Sequence, residues 1–258
     1  MPKIHKTMKI FRKGLDILQS VKNKMNSSHY LKAALVDTEL LSKCKNVEDS
    51  KQVFLHVIIV CHKRFGELRV CIQSWINQTV ADWHLTIIHD GPSHEFEEVM
   101  RSYSNELSGK ATFYTTSIRY NDYGHTLRAM GLNRPLGKYT MLTNGDNYFI
   151  PKTIYFLKEK CESYKNDTGN EPDIVLFDMV HSHENPGKNI SEAYNFFRVE
   201  FSPFKIDMSS AIVKSIVASK VGMRDRSHGA DQVYFSDIRN YCKPLHQCKI
   251  NKILLVHN

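Results

Sequence analysis

Apolar residues come in blocks along this chain, and the texture changes at Val53. Val53-Phe-Leu-His-Val-Ile-Ile-Val60 is a β-branched run of strand length, the pattern of a parallel strand covered on both faces. Cys61-His-Lys-Arg-Phe-Gly66 breaks it. Leu68, Cys71, Ile72, Trp75 and Ile76 then recur at spacings of three and four, which predicts a helix. His84–His89 predicts a second strand, closed by the turn residues Asp90-Gly-Pro-Ser93, and Glu95–Leu107 a second helix. Ala111–Thr116 predicts a third strand. Beyond it come a helix at His125–Leu132, a strand at Tyr139–Thr143, a helix at Lys152–Tyr164 and a strand at Asp173–Met179. An irregular polar stretch, His181–Glu192, precedes a helix near Ser210–Val221, and Ile253–Val256 is a last apolar segment.

Regular alternation of strand and helix implies right-handed βαβ units and a parallel sheet, hence the α/β class. Ligands of open α/β sheets sit outside the carboxyl ends of the strands, so functional residues are expected just after Val60, His89 and Thr116. Residues 1–50 lack this texture and read as a basic arm or helical hairpin appended to one domain at 51–258.

Composition narrows the picture. Apolar residues make up 41% and charged residues 24% of 258 positions, enough for a sizeable core, and disorder of the whole chain is excluded. The formal net charge is +8. A basic surface attracts nucleotides, nucleic acid or anionic lipid, and charge does not choose among them. The basic residues do not interleave with aromatics as single-strand binding requires, so a nucleic-acid partner is not expected. Lys3, Lys6, Lys9, Arg12, Lys13, Lys22 and Lys24 crowd the first residues against Asp16 alone. They read either as a solvated arm or, with the apolar stripe Ile4, Met8, Ile10, Phe11, Leu15, Ile17 and Leu18 on a basic helix, as a peripheral membrane contact. No transmembrane run and no apolar signal core is present, which points to the cytoplasm. The six cysteines fit no zinc spacing and are expected reduced there.

Four places hold candidate chemistry. Asp90 ends a strand and reads equally as a turn residue or as an acceptor for a base or ribose. Asn144-Gly-Asp-Asn147 follows another strand; it is a strong turn signal and also offers oxygens of the kind that hold Mg²⁺ or Mn²⁺ with substrate phosphates. Asp231 reads as a helix cap or as a general base. His228 and His257 are of the type that ligates metals. Gly-rich phosphate loops are missing.

Taken in order, these segments resemble glycosyltransferase family 2, inverting enzymes of the GT-A fold, over about residues 53 to 258. Val57-Ile-Ile-Val-Cys-His-Lys-Arg64 is similar to the family's opening strand and its Pro-Thr-Tyr-Asn-Arg end, of which only Arg64 stays. Cys71–Thr79 follows the family's helix with its Gln-Thr pair. Thr86-Ile-Ile-His-Asp-Gly91 is similar to the strand ending in Asp-Asp-Gly-Ser, with His89 in place of the first Asp. Asn121-Asp-Tyr-Gly124 with Arg128, and Gly137–Pro151, match the later motifs. The Asp-x-Asp motif reads Asn144-Gly145-Asp146, and the Glu-Asp pair reads Ala230-Asp231.

The resemblance implies a nucleoside diphosphate sugar donor, most plausibly a UDP-sugar, and a glycan or lipid-linked acceptor hydroxyl. It carries Val60, His62, Arg64, Asp90, Gly124, Arg128, Asn144 and Gly145 to the nucleotide. It makes Asp146 the holder of Mg²⁺ or Mn²⁺, to which His257 is added by its residue type alone, and Asp231 the base. Asn144 and Ala230 depart from the pattern, so a catalytically inactive nucleotide-binding homologue is the alternative. A sugar nucleotidyltransferase is a weaker one, since its Gly-rich opening loop is missing.

Overall fold

The computed structural model describes residues 27–44, 52–181 and 194–258. The first is helix α1 (27–43), and the remainder builds a sheet of nine strands with helices packed against it. Most of the basic arm and of the polar stretch expected at 181–192 lie outside the described residues.

Strand β1 (Val53–Cys61) is buried over its middle, and β2 (Trp83–His89) along its whole length. Runs covered on both faces carry no polar alternation. Helix α2 (Phe65–Ile76) buries Leu68, Cys71, Ile72 and Trp75, the spacing read from the sequence. Helix α3 (His94–Ser102) starts at Ser93, whose hydroxyl accepts the Phe96 amide at 3.2 Å. It ends earlier than its apolar pattern suggests, and turns carry the buried Leu107 into β3 (Ala111–Thr115). Helix α4 (His125–Leu132), β4 (Gly137–Asn144), the short β5 (Tyr148–Phe149), α5 (Thr153–Thr168) and β6 (Ile174–His181) follow.

The expected helix at Ser210–Val221 is two elements. Ala211–Lys214 is strand β8, after the short β7 (Asn195–Phe197), and only Ser215–Val221 is helical, as α6. Ile212 and Val213 are buried between β4 and β6, whose antiparallel pairing makes this short apolar run a strand. Helix α7 (Ala230–Tyr241) and the long β9 (Gln247–His257) end the fold.

The strand order is β3-β2-β1-β4-β8-β6-β9-β5, with β7 beside β6. Strands β3, β2, β1 and β4 are parallel; β8 is inserted antiparallel, and β6 and β9 are parallel again. The chain runs outward from β1 to β3 and returns to β4 on the other side of β1. That reversal opens a crevice at the carboxyl ends of β1 and β4. Among the described residues no helix is long and apolar enough to cross a membrane.

Helix α1 is docked on this domain, with Leu41 and Asp37 both fully buried.

Candidate active site

A cavity of about 440 Å³ lies at the reversal point. Val60, Cys61, His62, Lys63 and Arg64 enter it from the end of β1, Asp90 from the end of β2, and Asn144, Gly145 and Asp146 from the end of β4. Arg119, Asn121, Tyr123, Gly124 and Leu127 close the remaining wall. Of the residues expected at the nucleotide, seven line this cavity, and Arg128 is the exception.

Backbone geometry sets the walls. Gly124 has φ +79°, and a Cβ there would stand 2.7 Å from Val60 Cγ2, so the loop approaches β1 as only glycine permits. Gly145 is equally tight: a Cβ would stand 2.9 Å from Cys61 Cβ. Asp90 accepts the amides of Tyr120 at 2.7 Å and Asn121 at 3.0 Å, which ties the loop before α4 to the sheet.

Asp146 shares Oδ2 with Arg64 Nη1 at 2.6 Å, while its Oδ1 is buried without a partner. Asn144 accepts Arg128 Nη2 at 2.5 Å through its side-chain oxygen. Arg128 is therefore turned inward, buried, with Nη1 also donating to the Tyr123 carbonyl at 2.8 Å. It joins Asn144, which lines the cavity, to the Tyr123 carbonyl. Burial pulls its ionisation down, and Asp231, Asp207, Asp122 and Asp146 push it back up. One guanidinium thus feels both aspartates assigned from the sequence to metal binding and to base chemistry.

Asp231, the second residue of α7, is half-buried and does not line the cavity. Its Oδ2 accepts the Met208 amide at 3.1 Å. Burial, reinforced by Asp207, pushes its carboxyl up to about 6, against the opposing pull of Arg128, the Met208 amide and His257. A base works best when its pKa lies near the operating pH. His257, at the end of β9, places Nε2 3.7 Å from Asp207 Oδ2. Its neighbour Asn258 donates to the Asp146 carbonyl at 2.7 Å, so β9 returns to the same rim. His228 lies edge-on to Tyr123, with ring centroids 5.5 Å apart.

Burial pushes the thiols of Cys61 and Cys71 up, which leaves neither as a ready thiolate. His62 is held below its ordinary value by burial and Arg119, which keeps it neutral.

Lys63 and Arg119 match no residue of a named motif, although they fall just after Val60 and Thr116, where strand ends predict function. Asp207 carries only a capping signal: its side chain accepts the Ser209 amide at 2.7 Å, and Ser210 answers the Asp207 amide at 3.2 Å.

Solved structures with this architecture include S. aureus TarS 1-349 in complex with UDP: TM-score 0.59, 10% identity, over 79% of this chain and 60% of that one. The same protein in complex with UDP-GlcNAc gives 0.59 and 11%, over 80% and 58%. The mannosyltransferase PcManGT from Pyrobaculum calidifontis, in complex with GDP-Man and Mn²⁺, gives 0.57 and 11%, over 89% and 66%. The chain thus spans about three-fifths of the TarS 1-349 chains. No curated protein sequence matches. A curled, mostly parallel sheet with its crevice at this reversal is the GT-A architecture of the glycosyltransferases. Residues 56–190 match the family model described as Glycosyl transferase family 2, and the chain belongs to that family.

Proposed function

We propose that the protein moves a sugar from a nucleoside diphosphate donor, a UDP-sugar first among them, to an acceptor hydroxyl of a glycan or lipid-linked glycan, with inversion. The observation that carries this is the cavity at the β1/β4 reversal, with Asp90 at one side and Lys63, Arg64 and Arg119 around the rest. A carboxylate suits a base N–H or ribose hydroxyl, and clustered cations suit a diphosphate. The ligands named for the TarS and PcManGT structures are nucleotides and nucleotide sugars, which agrees with this reading.

In this reading Asp90 accepts from uracil N3–H while the loop amides hold its carboxylate in place. Arg64 and Lys63 face the diphosphate. Arg128 fixes Asn144 from below. Asp231 takes the acceptor's proton as the new glycosidic bond forms at the opposite face of the anomeric carbon, and the nucleoside diphosphate departs with the electrons of the broken bond.

Among the described residues no group of three or more His, Cys, Asp or Glu is gathered to hold a metal ion. Mg²⁺ needs only one or two carboxylates beside substrate phosphates, and the orphaned Oδ1 of Asp146 is an oxygen of that kind. Asp146 and His257 are the residues that would hold Mg²⁺ or Mn²⁺, in competition with Arg64. Such an ion, when bound, supplies charge neutralisation to the leaving diphosphate.

The test is a panel of nucleotide sugars with Mg²⁺ or Mn²⁺, read by released nucleoside diphosphate. Turnover with one donor is expected. Nucleotide binding with no turnover on any donor or acceptor would favour the inactive homologue that Asn144 and Ala230 suggest, and pyrophosphate-dependent nucleoside triphosphate formation would favour a nucleotidyltransferase.

A further inference from the structure

Helix α1 precedes the family match, which starts at residue 56, yet it reaches the wall of the cavity. Asp37 of α1 is fully buried. A buried carboxylate persists only where hydrogen bonds replace water. Its donors are the Tyr114 hydroxyl at 2.9 Å, the Ser117 amide at 3.0 Å, the Ser117 hydroxyl at 3.1 Å and the Tyr120 hydroxyl at 2.7 Å. All four come from the end of β3 and the loop that leads to α4. The Tyr120 ring also lies 6.1 Å from the ring of Tyr30, a second α1 residue. The far end of α1 is pinned as well, because the Cys44 carbonyl accepts Arg134 Nη2 at 2.5 Å.

The same loop supplies Arg119, Asn121 and Tyr123 to the cavity. Asn121 and Tyr123 have φ of 53° and 58°, conformations that persist only when the surroundings enforce them. Asp90 holds the loop from the sheet side, through the Tyr120 and Asn121 amides. Asp37 holds Tyr120 from the opposite side. Burial, with the carboxylate beside them, pushes both tyrosine hydroxyls up, so each remains a donor at neutral pH.

We infer that α1 is a positioning element of the donor site: Asp37, acting through Tyr120, fixes the loop 117–124 that forms one wall of the nucleotide cavity. This rests on the reading of that cavity as a nucleoside diphosphate site. Tyr120 and Asp37 are positioning residues and need not touch the ligand.

Two tyrosines on one carboxylate provide the control. Y120F removes the Tyr120 bond to Asp37, keeps the ring and leaves the two Ser117 bonds; Y114F removes the bond to β3 and leaves every loop bond intact. UDP and GDP are titrated calorimetrically into the full chain, with thermal midpoints measured in parallel. Y120F is expected to weaken nucleotide binding about three- to tenfold, the worth of one hydrogen bond, while Y114F stays within about twofold. In turnover, Y120F raises donor KM and leaves kcat unchanged. Wild-type affinity in Y120F, or equal weakening in both variants, would overturn the inference while leaving the donor site standing. Failure of the wild type to bind either nucleotide would remove the donor reading itself.

Discussion

Replacing Asp231 with Asn separates chemistry from stability. Burial and Asp207 push its carboxyl from an ordinary 3.8 up to about 6. In the window between those values the folded protein binds a proton that the unfolded chain has released. Stability therefore declines as pH rises through the window, and the deficit is complete above it. The displacement from 3.8 to about 6 corresponds to about 3 kcal/mol at neutral pH. Asn carries no charge, and its amide oxygen still accepts the Met208 amide that Oδ2 accepts at 3.1 Å. D231N is thus expected to raise the thermal midpoint near neutral pH, by about 2–4 °C per kcal/mol for a domain of this size. The gain should vanish at about pH 4, where the wild-type carboxyl is protonated as well. In the proposed reaction the same substitution removes the base, so kcat should fall about 10²- to 10⁴-fold while nucleoside diphosphate binding persists. Calorimetric scans at both pH values, beside released nucleoside diphosphate, measure the two effects on one preparation. A variant that is less stable near neutral pH, or one that turns over at the wild-type rate, would refute the reasoning.

D146N removes the oxygen offered to a divalent ion and loosens the Arg64 pair, whose arginine is 56% exposed and so contributes little to stability. Nucleoside diphosphate binding should lose its dependence on Mn²⁺ with the fold intact; titrations with and without the ion decide it, and an unchanged dependence would count against Asp146. G124A places a Cβ 2.7 Å from Val60 Cγ2 at φ +79°, and urea unfolding should show a loss of about 1–3 kcal/mol. Buried His56 and His84 are held down to about 3 and about 4, mainly by burial. Unfolding restores them to about 6.5, so their stability is present above that value and drains as pH falls. The midpoint should therefore drop on acidification from about pH 6.5 to 4.5. A flat profile would contradict the burial of the pair.

Much of the parallel half of the fold was legible because its burial is local. Leu55–Val60 and His84–His89 are covered on both faces, and Leu68, Cys71, Ile72 and Trp75 face one core, so linear spacing reports them directly. The order of these elements also brought Asp90 and Asp146 to strand ends on one crevice. Ala211–Lys214 was misread because a short apolar run has no period of its own, and its strand form depends on β4 and β6 beside it.

Side-chain orientation and charge were decided by the tertiary structure. Arg128 is buried against Asn144 and feels four aspartates, none of which adjoins it in sequence. Asp231 acquires its raised affinity for a proton from burial and from Asp207, which does not adjoin it in sequence. Asp37 meets Tyr120 across 83 positions of chain. A sequence displays which residues a strand or helix will bury, because periodicity is a property of the element itself. Which groups then face one another depends on how the elements pack, and hydrogen bonding and desolvation act only at those contacts.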